Sequence, residues 1–333
     1  MTRGIRAIAL TLVALFTLTG CGAVHGVLGI HQAPRVDQAS VPLTLDQAKG
    51  ILTRDFTAAQ QVGAQDGAAA RAALRTAYTG DGLRAANARL KLAKVQPTGE
   101  VSPLLAPEQP RLLAVPRGFG FPRVILAQTV ASEGPLPVLY LLTSPDAATP
   151  YKISAPATML LGSSLKPFDS LAKGSPLVTG GTGLAVDGNS LLGAYAAGLT
   201  FPAKAVAKPL FASDPFYAQV RAKAAGIAKA VVTQARFSQV HKVVPGSVYA
   251  VRQASGDALV FGVLERKDSF AVKSGQAVNT AANKEFVLLS GKKRITRAAT
   301  ITTLEFVVFA VPRSSGQARL VAASEQVVAG SGS

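Results

Sequence analysis

The chain has 333 residues, of which 48% are hydrophobic and 16% are charged, and its formal net charge is +17 at pH 7. This composition excludes an intrinsically disordered protein, and the length allows about two domains. The single cysteine excludes an internal disulfide bond and a zinc site built from thiolates. The positive charge indicates either anionic partners, such as lipid head groups or phosphate-bearing wall polymers, or a solvated, mildly basic surface without such a partner.

The first residues predict an export signal. A short basic start is followed by an apolar run over residues 8–18, which is too short for a membrane-spanning helix of about 20 residues. The residues LTGC at 18–21 resemble the lipobox of bacterial lipoproteins. This resemblance implies that residues 1–20 are a signal peptide and that Cys21 is acylated as the first mature residue. The alternative is an ordinary signal peptide with an incidental cysteine.

The lipid on Cys21 would hold the protein at the extracellular face of the cell membrane, with membrane lipid as its first partner. Residues 21–42 contain Pro and Gly and show no sustained hydrophobic periodicity. We interpret them as a tether between the anchor and the folded part of the chain.

Three helices are predicted at the start of a first domain, residues 43–165. Thr44 and Gln47 have the spacing of a capping box, which predicts that a helix begins there. Hydrophobic periodicity predicts helices in LTLDQAKGILTRDFTAAQQV, DGAAARAALRTAYTG and GLRAANARLKLAKV.

After Pro97 the pattern changes to short apolar runs between clusters of Pro, Gly, Ser and Asp. This pattern is typical of antiparallel strands joined by turns. The runs are RLLAVPRGF, FPRVILAQTV, LPVLYLLTS and PYKISAPATML. Residues 166–189 are rich in Gly and Ser and short of long apolar runs, so we interpret them as a linker.

A second domain, residues 190–330, repeats the order of helices followed by strands. LLGAYAAGL and DPFYAQVRAKAAGIAKAVVTQARFSQV are helical in pattern, and Asp214 followed by Pro215 predicts the start of the second of these helices. A hairpin turn is predicted at SGD, residues 255–257. The strand-like runs are GSVYAVRQA, DALVFGVLERKDSF, KEFVLLSG and RITRAATITTLEFVVFAVP, and QARLVAASEQVV closes the chain.

Helices gathered before antiparallel strands predict an α+β fold in two tandem domains. This arrangement behind a lipobox resembles actinobacterial lipoproteins of unknown function whose halves are NTF2-like, or cystatin-related cone, domains. The residues that carry the resemblance include LTLDQAKGILTRDFTAAQQVGAQDGAAARAAL, AVPRGFGFPRVILAQT, FASDPFYAQVRAKAAG and EFVVFAVP. It implies helices packed on a curved antiparallel sheet in each half, and it carries no established activity or catalytic residues.

From the positions of the three histidines we expect no metal site, and we expect no cofactor. His25 and His31 fall in the predicted tether, and the pattern puts His241 at the end of a basic helix, where a cation is favoured. The ligand number and spacing of a zinc site are therefore missing. No G-x-S-x-G motif occurs, and the glycine-rich residues 178–188 lack the Lys-Ser/Thr ending of a phosphate-binding loop.

Glu305 is the one carboxylate that the strand pattern singles out. In TTLEFVVFAV the side chains of Leu304 and Phe306 face one side of a strand, whereas Glu305 and Val307 face the other. Glu305 would then point into a cone-shaped cavity and is the only candidate catalytic residue. The alternative is a strand residue that is exposed or paired with Lys or Arg.

The preferred function is a membrane-anchored envelope lipoprotein that binds a protein or ligand and is not an enzyme. One alternative is a secreted cone-fold enzyme of the isomerase or dehydratase type with Glu305 as acid or base. Another is an electrostatic binder of anionic wall polymer or lipid. Nucleic acid is not an expected partner, because the basic residues are scattered, tryptophan is absent and no helix-turn-helix or zinc-finger spacing occurs.

Overall fold

The computed structural model describes residues 40–64, 67–95, 110–130, 136–203 and 210–333. The predicted signal peptide and all of the predicted tether before residue 40 lie outside the described residues.

Along the described chain, three helices are followed by a run of strands, and two further helices are followed by a second run of strands that a short helix interrupts. Its helices are α1 (Leu45–Ala64), α2 (Gly67–Ala77), α3 (Gly80–Leu92), α4 (Gly188–Leu199), α5 (Pro215–Val231) and α6 (Lys284–Ser290). Its strands are β1 (Arg111–Ala114), β2 (Pro116–Arg117), β3 (Arg123–Val130), β4 (Pro137–Ser144), β5 (Lys152–Thr158), β6 (Ser175–Val178), β7 (Ala235–Val243), β8 (Tyr249–Arg252), β9 (Ala258–Val272), β10 (Val278–Asn279), β11 (Arg294–Ile295), β12 (Ala298–Val311) and β13 (Arg319–Gly332).

The first helix begins at the predicted capping box. The Thr44 backbone N–H donates to Gln47 Oε1 at 2.8 Å, and the Gln47 backbone N–H donates to Thr44 Oγ1 at 3.2 Å. Both groups would otherwise lack partners at a helix start, so the reciprocal bonds define where α1 begins. The apolar positions Ala48, Leu52 and Phe56 then recur on one buried face of the helix.

Helix α5 begins as predicted but ends earlier. The Asp214 carboxylate accepts a hydrogen bond from the Tyr217 backbone N–H at 2.7 Å, with Pro215 in the first turn. The helix ends at Val231, and the prediction that it continues to residue 240 is wrong. Residues 235–243 form β7, in which buried and exposed side chains alternate. The β-branched pair Val231 and Val232, followed by this alternation, favours a strand over a further helical turn.

The run KEFVLLSG, predicted as a strand, is helix α6. The Asn283 side chain accepts a hydrogen bond from the Phe286 backbone N–H at 2.9 Å, and Gly291 ends the helix in the left-handed conformation with φ 70°. An Asn before a short apolar run and a Gly directly after it are helix boundary signals, and here they outweigh the apolar composition of the run.

The described strands form two larger sheets and one short ribbon. The first sheet has four antiparallel strands in the order β1-β3-β4-β5, as the four apolar runs of the first half predict. The second sheet has seven strands in the order β13-β12-β9-β8-β6-β2, with β7 also paired with β9. The hairpin between β8 and β9 turns at the predicted SGD residues. Strands β10 and β11 form the ribbon.

The two larger sheets pack face to face and share one apolar core. The four-stranded sheet contributes Val124, Leu126, Leu139, Leu141, Ala155 and Ala157, and the seven-stranded sheet contributes Val251, Leu259, Phe261, Val263, Leu304, Phe306 and Val308. Helices α1–α3 cover the outer face of the first sheet, where Phe56 packs edge-on against Tyr140 with ring centroids 4.8 Å apart. Helices α4 and α5 cover the outer face of the second sheet. The order of layers is therefore helices, sheet, sheet, helices.

The predicted α+β class is confirmed. The residues predicted as a linker, 166–189, contain β6, which pairs in parallel with β2 of the first half and antiparallel with β8 of the second half. Residues Gln38–Ser333 form one compact unit. The division into two tandem domains stays a prediction, and the described fold unites the two halves through a common core.

Two helical glycines allow a test of how closely α3 packs on the first sheet. A Cβ at Gly82 would lie 2.7 Å from the Ile153 carbonyl oxygen, whereas nothing lies within 4 Å of a Cβ at Gly50 in α1. We expect Gly82→Ala to lower the free energy of unfolding by about 1–3 kcal/mol, because backbone must move. The control Gly50→Ala should raise it by about 0.5–1 kcal/mol. Urea unfolding measures both, and equal effects would contradict the close packing.

Candidate functional site

Glu305 lies on the face of β12 that the sequence predicts. The neighbouring side chains Leu304 and Phe306 belong to the core between the two sheets. Val307, two residues after Glu305, packs instead with the residues of α4 and α5. Glu305 therefore projects from the seven-stranded sheet toward the helices α4 and α5.

Strand register brings two basic side chains to Glu305. His241 on β7 and Thr303 on β12 are each paired with Arg266 on the central strand β9, so the three residues form one row across the sheet. Arg266 Nη1 donates to Glu305 Oε1 at 2.8 Å, and His241 Nε2 lies 3.2 Å from the same oxygen. One carboxylate oxygen thus receives two partners from different strands.

Two further carboxylates complete what we call the Glu305 cluster: His241, Arg266, Asp268, Glu305 and Glu325. Arg266 Nη1 also donates to Glu325 Oε2 at 2.9 Å, and Arg266 Nε lies 3.2 Å from Asp268 Oδ2. A single guanidinium group therefore contacts three carboxylates. Arg suits this position, because its planar group has five N–H donors.

The centre of the Glu305 cluster is closed to solvent. The side chains of His241 and Glu305 are both 0% exposed, whereas that of Glu325 is 33% exposed and pairs with the half-exposed Lys223 at 3.1 Å. The cluster thus runs from the buried interior to a surface ion pair on α5. The predicted alternative for Glu305, a strand residue paired with Arg or Lys, is the one observed.

Burial and charge act in opposite directions on the carboxyl groups of this cluster. Burial raises the pKa of Asp268, even though Arg266 and His241 act to lower it. Burial also acts to raise the pKa of Glu325, but Arg266 and Lys223 together hold that pKa below its ordinary value. Relative to their ordinary pKa values, the protonated form of Asp268 is favoured and the ionised form of Glu325 is favoured.

Four buried polar atoms of the cluster have no hydrogen-bond partner among the described residues. These atoms are His241 Nδ1, Arg266 Nε, Asp268 Oδ1 and Glu305 Oε2. A buried polar atom without a partner is costly, and a small polar molecule or water is the usual remedy. The cluster therefore has unused hydrogen-bonding capacity at its centre.

Tyr195 on α4 pairs with a carboxylate outside the Glu305 cluster. The Tyr195 hydroxyl of α4 donates to both oxygens of Asp214, at 3.1 and 3.2 Å. Asp214 also caps α5, so this pair joins the two helices. Burial, followed by the negative charge of Asp214, raises the pKa of Tyr195. Tyr195 is thus an un-ionised donor to Asp214, and its hydroxyl forms no hydrogen bond with Glu305.

The interpretation of His241 as a helix-terminal cation is wrong. His241 lies in β7, and its side chain is buried against the sheet. Sequence reasoning missed its pairing with Glu305, because the helix was extended too far. The signal available was the alternation of Phe237, Gln239 and His241 with exposed residues, which puts all three on one face of a strand.

A second buried carboxylate lies in the first half. Asp55 on α1 is 0% exposed, and its Oδ1 accepts from Arg54 Nε at 2.7 Å. Its other oxygen, Oδ2, is buried without a hydrogen-bond partner among the described residues. Burial raises the pKa of Asp55 to about 6, although Arg54 acts to lower it. The sequence pattern assigned Asp55 only to a helix, so this burial was not predicted.

A groove of about 590 Å³ lies between α1 and β1. Its described lining combines the basic residues Lys49 and Arg111 with the apolar residues Leu52, Phe56 and Leu112, and includes no acidic residue. Volumes of about 300–1,000 Å³ are usual for small-molecule sites. The groove is suited to a molecule with an apolar part and an anionic part.

Other predicted site residues lie outside the described ranges. These are Cys21, the predicted lipid attachment site, and the tether residues His25 and His31. In the described ranges no group of three His, Cys, Asp or Glu side chains is arranged to hold a metal ion. No helix of the described chain is long and apolar enough to cross a membrane.

Comparison with known proteins identifies one family. The family model described as Domain of unknown function (DUF8094) matches residues 41–332, which include every helix and strand named above. No curated protein and no solved structure matches the chain.

Removing Glu305 tests whether the Glu305 cluster holds the second sheet together. We expect Glu305→Ala to lower the free energy of unfolding by about 3–5 kcal/mol, because it removes a buried partner of Arg266 and the carboxylate that His241 contacts inside the fold. The control Glu265→Ala removes a partly exposed carboxylate on β9 that pairs with the half-exposed Arg84, and should cost no more than about 1 kcal/mol. Similar losses in both variants, measured by urea unfolding, would contradict this role.

Asp55 predicts a pH dependence of stability. Because its pKa is about 6 in the folded chain and near 3.8 in the unfolded chain, the folded state binds the proton more tightly. Stability should therefore fall as pH rises from about 4 to about 6, by about 3 kcal/mol from this group.

We expect Asp55→Asn to flatten this part of the curve and to raise stability at pH 7, as measured by thermal unfolding across pH. The exposed Asp46 on the same helix provides a control, since Asp46→Asn should leave the slope in place. If the stability of Asp55→Asn fell with pH as steeply as that of the wild type, the buried carboxyl group of Asp55 would not be the source of the pH dependence.

Proposed function

Because the chain belongs to the family described as Domain of unknown function (DUF8094), which assigns no activity, we propose from its own residues that it is a lipid-anchored cell-envelope protein that acts by binding. The anchor is the acylated Cys21, and the protein stands at the extracellular face of the cell membrane. Its folded part is not an enzyme.

The N-terminal sequence supports the anchor. A basic start, an apolar run over residues 8–18 and the residues LTGC at 18–21 occur in the order that lipoprotein processing requires. Cys21 is also the only cysteine of the chain, so acylation would leave no free thiol in an exported protein.

The enclosure of Glu305 is the observation that carries the proposal of a binding role. The sequence pattern selects Glu305 as the candidate acid or base, and its side chain is 0% exposed and held by Arg266 and His241. A catalytic carboxylate must come within hydrogen-bond reach of a substrate proton. A carboxylate enclosed in this way stabilises the fold instead.

The basic groove between α1 and β1 supplies a surface on which such a protein binds a partner. Lys49 and Arg111 lie beside apolar side chains there, and the formal net charge of the chain is +17. Anionic envelope polymer or lipid is the partner class that this chemistry favours.

The order of elements also supports, as part of the proposal, an origin from two NTF2-like domains. In each half, helices precede antiparallel strands, and the helices cover one face of a sheet. In this interpretation the two ancestral domains have joined through the inner faces of their sheets, which now pack together in one core.

A second candidate function is an enzyme whose centre is the Glu305 cluster. The specific observation in its favour is that His241, Asp268 and Glu305 each present a buried polar atom without a partner among the described residues. A His and two carboxylates within hydrogen-bond reach of one molecule would suit proton transfer of the isomerase or dehydratase type. This function requires an opening of the fold that admits substrate.

Replacement of Cys21 tests the anchor. We expect the wild-type protein to incorporate radiolabelled palmitate and to begin at residue 21, because the thiol accepts the lipid before the signal peptide is removed. Cys21→Ala should incorporate no label and should not be cut at this position, as measured by labelling and by intact mass. Thr11→Ala, in the apolar run, is the matched control and should be processed normally. Labelling of Cys21→Ala would overturn the anchor.

Chemical modification of His241 separates the two candidate functions. Diethyl pyrocarbonate reacts with imidazoles that solvent reaches, and His241 is buried. We expect no modification of His241 in the folded protein and complete modification after denaturation, as measured by peptide mass spectrometry. Rapid modification of His241 in the folded protein would favour the enzyme.

A further inference from the structure

Two phenylalanines are exposed in the loop between β2 and β3. This loop, residues 117–123 with the sequence RGFGFPR, is called the Phe119–Phe121 loop below. Phe119 is 38% exposed and Phe121 is 40% exposed, although large apolar side chains elsewhere in the first half mostly lie in the core. Neither ring belongs to an apolar cluster of the core, so the exposed part of each ring is available to a partner.

Arg123 packs against both rings, and Arg117 lies at the other end of the loop. The guanidinium carbon of Arg123 lies 4.2 Å from the ring centroid of Phe121 and 5.9 Å from that of Phe119. Arg123 Nη2 also donates to the Phe119 carbonyl oxygen at 2.8 Å, which holds the loop closed around the guanidinium group. Arg117 lines a depression of about 280 Å³ beside the loop, and no acidic residue is among the residues that line it. The surface is thus both aromatic and positively charged.

The loop lies where the described chain begins. The Gly118 backbone N–H donates to the Ser40 carbonyl oxygen at 2.9 Å, so Ser40 is bonded directly to the loop. The Val41 side chain lies next to Gly174, and Gly174 also lies next to Arg117. The chain from Cys21 to Ser40 spans at most about 65 Å. The proposed lipid on Cys21 would therefore be connected to the fold through Ser40, next to this loop.

We infer that the Phe119–Phe121 loop is a membrane-contact surface, which inserts Phe119 and Phe121 into the head-group region of the anionic bilayer that holds Cys21. Arg117 and Arg123 then contact lipid phosphates. This inference rests on the proposed lipid anchor. Phenylalanine rings on membrane-surface segments bury at the boundary between head groups and acyl chains, and guanidinium groups bind phosphate through paired N–H donors.

The contact orients the folded part and does not by itself hold the protein on the membrane. Two aromatic side chains and two cations make a weak membrane site, but the anchor raises their local concentration at the bilayer. The groove between α1 and β1 belongs to the same half of the chain. A fixed orientation would therefore present this groove in a constant direction relative to the membrane.

The chain contains no tryptophan, so a single introduced tryptophan reports on one position. We would place Phe121→Trp in the full chain, confirm its acylation by intact mass, and reconstitute it in vesicles of phosphatidylglycerol and phosphatidylcholine with brominated acyl chains. We expect a blue-shifted emission and loss of most of the fluorescence, because bromine quenches an indole that enters the bilayer. Arg117→Gln in the same background should reduce the quenching, and vesicles of phosphatidylcholine alone should reduce it further.

Leu161→Trp is the matched control. Leu161 is 87% exposed, which is more than Phe121, so a non-specific hydrophobic contact would favour Leu161. Leu161 follows β5, whose last residues pair with the start of β4, whereas the Phe119–Phe121 loop precedes Arg123, which pairs with Ser144 at the end of β4. The two positions therefore lie at opposite ends of the first sheet. We expect no quenching at Leu161→Trp.

This experiment distinguishes failure of the proposed lipid anchor from failure of the proposed membrane contact. An acylated protein in which Phe121→Trp is unquenched, or is quenched no more than Leu161→Trp, would overturn the membrane contact and leave the anchor intact. This outcome would also be expected if the loop binds a protein instead. A chain without the acyl group would overturn the anchor. Quenching of Phe121→Trp in that chain would still support the contact.

Discussion

The face-to-face packing of the two larger sheets is the constraint on which the rest of the structure depends. Each sheet contributes apolar side chains to one shared core, and each has helices on its outer face. The central strands are therefore buried on both faces, and burial of apolar area is the main favourable term in folding. Neither predicted half could expose its inner sheet face to water without losing this term.

The same constraint determines what a charged residue does in the second sheet. Any charge on the helix-facing side of β9 or β12 is removed from water, which is costly unless it is paired. Arg266, Glu305 and His241 meet this condition by pairing across three neighbouring strands. Lys223 and Glu325 extend the network to the surface. Glu305, the candidate catalytic residue of the sequence, is thus paired with Arg266 and His241 inside the fold.

The two surface features that we propose as binding sites both lie in the first half of the chain. There, the basic groove between α1 and β1 and the Phe119–Phe121 loop combine apolar and cationic side chains without carboxylates among their described lining residues. The loop is bonded to the residues at which the described chain begins. The proposed anchor, groove and loop therefore form one consistent account of a protein that works at a lipid surface.

Local sequence signals predicted much of this fold. The Thr44–Gln47 capping box, the Asp214 cap and the alternation around Glu305 all depend on residues within a few positions of each other, and all are confirmed. The errors at β7 and α6 have a local cause too. In both, the apolar composition of the run favours one structure, whereas the boundary residues or the alternation next to it favour the observed one.

By itself the sequence determined the α+β class, the face of β12 from which Glu305 projects, and the lipobox pattern at Cys21 that underlies the proposed anchor. Only the tertiary structure decided the partners of Glu305, the burial of Asp55, and the union of the two halves in one core. The physical reason is sequence distance: Glu305 is 39 residues from Arg266 and 64 from His241. Periodicity tells which way a side chain points, but sheet register decides which side chains meet there.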